Sequence, residues 1–168
     1  NLSREMFATA KYDEALELLR VAAPITAKLA KDPNDSDAQY FNALVNTGHA
    51  RALAKVGRVG EAKVILPQSD TVLKGQVEQG GTLRIIFAYG QNAIFLGEVY
   101  AHLGSDRRLS PAAQRDYWRQ AREAFRQGIP PLQDVTAAVE IEPMDRAVLT
   151  DGEAGLANAE AAIARLGG

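Results

Sequence analysis

Apolar residues recur at steps of three and four along almost the whole chain, which is the spacing of amphipathic helices. In the segment 12–31 the recurring set is Ala15, Leu16, Leu18, Leu19, Ala22, Ala23, Ile25 and Leu29. A strand would instead alternate apolar and polar residues. Pro24 lies inside this segment and is expected to kink or split the helix, because proline removes a backbone hydrogen bond. The pattern predicts an all-α protein.

Prolines, glycines and polar clusters divide the first half of the chain into successive helices. The cluster 32–36 ends the first helix, and Asp35 or Ser36 is a suitable N-cap for the next one. Gly57 and Gly60 mark a second turn, and Gly80-Gly81 marks a third. The helices predicted from these breaks cover residues 12–31, 37–56 and 61–78, the last of them bent at Pro67.

The second half opens with the most apolar segment, 82–103, which is predicted to be the central helix. Ser110 and Pro111 then form an N-cap followed by proline at the first helical position, so a helix is expected from there to about Gly128. The pair Pro130-Pro131 is predicted to break it. A short helix over 135–139 and an alanine-rich final helix over 145–166 complete the prediction as a terminal cap.

Three turns share a pattern of small residues and an aromatic or aliphatic residue followed by alanine. The residues are Ala10, Tyr12 and Ala15; Gly57, Val59 and Ala62; and Leu96, Gly97, Tyr100, Gly104, Trp118 and Ala121. They resemble the tetratricopeptide repeat, in which a small residue lets two helices approach and an aromatic packs across them. The resemblance implies a right-handed solenoid of about three antiparallel helical hairpins with a C-terminal capping helix.

On this interpretation residues 1–168 form a single tetratricopeptide-like domain, with repeats at about 1–31, 36–79 and 82–128 and a cap at 131–168. The repeats are longer than the roughly 34 residues of the standard unit, so longer helices and an inserted loop are expected. The segments 31–62 and 103–128 also look like the repeat region that follows the kinase domain in some large bacterial serine/threonine kinases. That likeness implies a sensor or docking part of a larger bacterial protein.

Composition narrows the function classes further. The 19 basic and 21 acidic side chains are scattered and give a net charge of -2, so no positive field exists to hold nucleic acid. The absence of cysteine excludes disulfides and thiolate chemistry but leaves the compartment open. No apolar run approaches the roughly 20 residues of a membrane span. Because the chain begins at Asn1, we expect a longer parent protein.

Residues suited to catalysis are few. The chain has two histidines, His49 and His102, and neither belongs to a motif with metal-ligand spacing. Glu98 stands four residues before His102 and could contact it across one helical turn. We therefore expect no cofactor, no metal and no enzymatic activity, and keep a small α-helical enzyme using His102 and Glu98 as the weaker alternative.

Two polar stripes give the stronger functional signal. One stripe follows the second helix, the other follows the central helix, and both could line the inner face of a solenoid and read a bound peptide. The predicted groove residues are Asn42, Asn46, His49, Arg51, Arg84, Gln91, Glu98 and His102, with Gln39 and Lys55 beside them. The alternative interpretation is that these residues are solvated helix faces, as in any amphipathic helix.

Aromatic residues at helical spacing are predicted to pack in the core, because their large apolar area favours burial. This prediction covers Tyr40, Phe41, Phe87, Tyr89, Phe95 and Tyr100, and Trp118 is assigned a structural role as well. The expected function is non-catalytic binding of a protein or peptide. The alternative is self-association as a homodimer, in which the uncovered N-terminal edge near Met6 and Phe7 pairs with a second copy.

Overall fold

The computed structural model describes residues 6, 7 and 9–167. Over these residues it contains six long helices and no strand, which confirms the all-α prediction. The helices are α1 Tyr12–Leu29, α2 Ser36–Lys55, α3 Val59–Glu78, α4 Leu83–Gly104, α5 Pro111–Ala138 and α6 Pro143–Gly167. Residues 1–5 and Ala8 of the first predicted repeat, and Gly168 of the predicted cap, lie outside this description.

The predicted helix breaks in the first half and the cap of α5 have direct physical causes. The Asp35 carboxylate accepts a hydrogen bond of 2.8 Å from the Ala38 amide, which satisfies a free donor at the start of α2. The Ser110 hydroxyl accepts one of 3.3 Å from the Ala113 amide, and α5 begins at Pro111. Gly57 and Gly80 take φ angles of 86° and 87°, which glycine adopts without a steric penalty. These breaks therefore rest on local chemistry.

The predicted break at Pro130-Pro131 was wrong. Helix α5 continues through both prolines to Ala138, so the predicted helix end at Gly128 and the separate helix over 135–139 are replaced by one continuous element. Proline already holds the helical φ angle, and its cost is a lost hydrogen bond and a clash with the preceding turn. Burial of Ile129, Leu132 and Val135 on either side of the pair offsets that cost. Pro24 likewise lies inside an unsplit α1.

The chain divides into two compact units, Asn1–Ile85 and Ile86–Gly168. In the first, α2 packs against α1 on one side and α3 on the other. Leu19 of α1 lies next to Gly48 of α2, and Thr26 further along α1 bonds to Asn42 earlier in α2, so the two helices are antiparallel. Buried residues of this unit include Ala15, Leu16, Leu19, Tyr40, Ala43, Ala50, Leu53, Ala62, Leu66 and Leu73.

In the second unit, large side chains of α5 pack directly against glycines of α4. A Cβ atom on Gly90, Gly97 or Gly104 of α4 would lie 2.8, 2.6 or 2.9 Å from atoms of the facing α5 side chain. Those side chains are respectively Leu132, Phe125 and Trp118, so steps of seven residues along α4 match steps of seven residues backwards along α5. The match fixes an antiparallel register, confirms the structural role of Trp118, and leaves no space for a methyl group at these glycines.

Candidate functional site

Four side chains follow one another along one side of α2. Phe41, Leu44, Arg51 and Lys55 are separated by three, seven and four residues, which keeps them on one side of a helix. We call them the α2 outer strip. Phe41 is 50% exposed and Lys55 is also exposed, whereas Leu44 and Arg51 are half-buried. The strip thus presents Phe41 and Lys55 to solvent at its two ends, while Leu19 of α1 packs against Gly48 between Leu44 and Arg51.

At the Phe41 end of the strip, an arginine from the start of α4 lies over two aromatic rings. The Arg84 guanidinium carbon is 4.6 Å from the centre of the Tyr40 ring and 5.8 Å from that of Phe41. The two rings meet edge to face at 5.6 Å between centroids. Tyr40 is almost fully buried, and this burial raises the pKa of its hydroxyl although the nearby Arg84 charge lowers it. The neutral, rigid Tyr40 ring therefore supports an exposed arginine beside an exposed phenylalanine.

A second cation and aromatic pair lies at the Arg51 end. The Arg51 guanidinium carbon is 4.6 Å from the centre of the Phe7 ring, and the Phe7 ring is 5.9 Å from that of Tyr12. Contacts of this type stabilise by about 0.5–1 kcal/mol at exposed sites and more when water is excluded. Covering either pair with a ligand would therefore strengthen it.

Of the predicted groove residues on α2, Arg51 belongs to the strip, whereas Asn42, Asn46 and His49 lie on a different side of that helix. Asn42 accepts a hydrogen bond of 3.0 Å from the Thr26 hydroxyl of α1, so its amide joins two helices. The side-chain amide of Gln39 donates a hydrogen bond of 2.9 Å to the Pro33 carbonyl and so stabilises the turn before α2. Asn46 and His49 are half-buried. The pKa of His49 is lowered by burial first and by the Arg58 charge second, while Glu61 acts in the opposite direction.

The remaining predicted groove residues are distributed between the two units. Arg84 belongs to the first unit, where it joins the α2 outer strip, as Arg51 does. Gln91 and Glu98 are half-buried in the second unit, and His102 is exposed there. The structure thus groups two of the eight predicted residues with Phe41, and a groove that uses all eight stays a prediction.

Phe41 is the residue that the sequence prediction misplaced. It was expected to pack in the core with the other aromatics, but half of it is exposed, whereas Tyr40, Tyr89 and Phe95 are buried. A usable signal existed in the sequence. Tyr40 and Phe41 are adjacent, and neighbouring residues on a helix point about 100° apart, so both cannot face one narrow core direction.

Across residues 6–7 and 9–167, no three acidic or histidine side chains come together in a way that could hold a metal ion. None of the helices described is long and apolar enough to cross a membrane. A scan against protein-family models and searches of curated proteins and solved structures found no match to the chain. The functional inference therefore rests on the surface chemistry of the molecule itself.

Proposed function

We propose that the chain is a non-catalytic, tetratricopeptide-like helical module that binds a peptide or protein partner through the α2 outer strip and Arg84. The observation that carries this proposal is the half-exposed Phe41 ring with the Arg84 guanidinium held 5.8 Å from its centre. Aromatic and arginine side chains are enriched in protein interfaces and among the few residues that carry most of their binding energy. The tetratricopeptide resemblance adds support, because consecutive antiparallel helices with small residues at close contacts are what such repeats use.

The strip defines the chemistry of the partner. Arg84, Arg51 and Lys55 offer cations at both ends, while Phe41 and Leu44 offer apolar surface between and beside them. A complementary segment carries carboxylates separated by an apolar or aromatic side chain. The net charge of the chain is -2, so its overall charge does not attract such an acidic segment, and the local cations of the strip must do so. Such a module suits a sensor or docking part of a larger bacterial protein.

A displayed library of random peptides, selected on the full chain, supplies a defined probe for this proposal. The selected peptides are then titrated by calorimetry against the chain and its Phe41→Ala and Arg84→Ala variants. We expect each variant to bind at least about tenfold more weakly, a loss of roughly 1.4 kcal/mol or more, which is the range of an interface hot spot. Val64→Ala serves as the matched control, because Val64 is 60% exposed on α3, away from the strip.

An Arg84→Lys variant separates charge from geometry. Lysine keeps the positive charge but loses the planar group that stacks on rings and grips a carboxylate with two hydrogen bonds, so we expect affinity between that of the native chain and Arg84→Ala. Equal affinity of the native, Phe41→Ala and Arg84→Ala chains would overturn the assignment of this surface. Cleavage or modification of the peptide, seen by mass spectrometry, would contradict a non-catalytic role.

A further inference from the structure

Helix α1 carries a row of exposed apolar side chains outside its buried side. Leu18 is 37% exposed, Val21 57%, Ile25 57% and Leu29 63%. Their separations of three, four and four residues place them on one side of the helix. Ala15, Leu16 and Leu19 form the buried side of the same helix. We call the four exposed residues the α1 stripe.

Two opposite charges flank this row symmetrically. Glu17 directly precedes Leu18 at one end of the α1 stripe, and Lys28 directly precedes Leu29 at the other, so both charges lie on the same flank. If a second α1 packs antiparallel on the stripe, Glu17 of each copy meets Lys28 of the other. In a parallel pair, the flank of one copy that carries Glu17 and Lys28 lies on the opposite side of the interface from the same flank of the other copy, so neither charge meets an opposite charge.

The existing partner of Glu17 does not prevent this exchange. Glu17 and Arg20 form an ion pair at 3.0 Å, but their side chains are 67% and 65% exposed. An exposed pair of this kind contributes little to stability, so the Glu17 carboxylate can turn to a new cation at small cost.

We propose that the α1 stripe binds a second copy of this chain in an antiparallel, two-fold symmetric pairing of α1 with α1. The match of Glu17 with Lys28 about the middle of the row selects this occupant, because a two-fold axis there satisfies both pairs at once. Four side chains bury far less than the roughly 800 Å² per partner of a stable interface, so the dimer is weak and forms at high concentration. The α1 stripe shares no residue with the α2 outer strip.

Sedimentation velocity on the full chain tests the proposal. Between about 5 and 500 µM, where a small interface of this kind associates, we expect the average mass to rise from monomer towards dimer. Val21→Ser should weaken association several-fold and Val21→Ser/Ile25→Ser should abolish it. Val64→Ser is the matched control, since Val64 has the same side chain and is 60% exposed on α3, and it should associate like the native chain.

A charge exchange tests the antiparallel direction. Glu17→Lys and Lys28→Glu should each weaken association, because each places like charges opposite one another, and the double variant should recover it. A native chain that stays monomeric at the highest concentration would overturn the proposal. That result would also be seen if a helix of a different protein were the occupant of the stripe. Failure of the double variant to recover association would overturn the antiparallel pairing. Peptide binding to the α2 outer strip should be unchanged in Val21→Ser/Ile25→Ser, which keeps the two surfaces distinguishable.

Discussion

At the scale of single residues, the register of α4 against α5 depends on positions that have no side chain. The Phe125 ring occupies the space in which a Cβ of Gly97 would lie, 2.6 Å from the nearest ring atom. Phe125 is itself 1% exposed and belongs to the core, so it has little freedom to withdraw. Small residues at these contacts therefore determine how closely the two helices approach.

Replacing Gly97 by alanine should lower the free energy of unfolding by about 1–3 kcal/mol, the usual cost of an overpacked core. Gly75→Ala is the control, because Gly75 also lies inside a helix but has no atom within 4 Å of an added Cβ. The free energy of unfolding of that variant should rise by roughly 0.5–1 kcal/mol, because alanine has a better helix propensity than glycine. Urea denaturation measures both changes, and a stable Gly97→Ala chain would show that the helices can separate there.

His49 makes stability depend on pH in a defined direction. Burial and the Arg58 charge lower its pKa in the folded chain below the ordinary value of 6.5, so the unfolded chain takes up a proton first as the pH falls. The contribution of neutral His49 to the free energy of unfolding is therefore fully present above pH 6.5, and it is lost as the pH falls through the pKa of the folded chain.

Urea denaturation at pH 7.5 and at lower pH measures this effect. We expect the native chain to lose stability between these conditions, and His49→Asn to lose less. The pKa of His49 can be read directly from the pH dependence of its ring resonances. A value at or above 6.5 would contradict the lowered pKa.

At the scale of helices, local sequence accounts for some boundaries and tertiary packing for others. The start of α2 follows from a single capping side chain, Asp35, which the sequence suggests on its own. The continuation of α5 through Pro130-Pro131 does not follow from local sequence, because the prolines disfavour it and the burial of Ile129 and Leu132 decides it. That burial depends on packing against α4 and α6, where Leu132 lies next to Gly90 and Ile129 next to Gly152, so the local pattern around the prolines does not predict it.

The capping contribution of Asp35 can be measured by substitution. Asp35→Ala removes the acceptor for the Ala38 amide and should destabilise the fold by about 0.5–2 kcal/mol. Asp35→Asn keeps an oxygen acceptor at the same place and should cost much less. Thermal unfolding of both variants compares them, and equal losses would indicate that the carboxylate acts through its charge and not through the cap.

At the scale of the whole molecule, the sequence predicts the fold class and some of the binding residues, but it does not predict which side of a helix faces a neighbouring helix. The all-α class follows from apolar spacing, and Arg51 and Arg84 were among the predicted binding residues. Phe41 was assigned to the core because the sequence does not show which sides of α2 its two neighbours cover. Asn42 was assigned to a groove for the same reason, and the structure places its amide against Thr26.

The most direct test of partner binding at the α2 outer strip is to record intermolecular nuclear Overhauser effects between the isotope-labelled full chain and an unlabelled peptide from the library. We expect contacts from the Phe41 ring and from the Arg84 and Lys55 side chains. Contacts confined to Asn46 and His49, or to residues 86–167, would contradict binding at this surface.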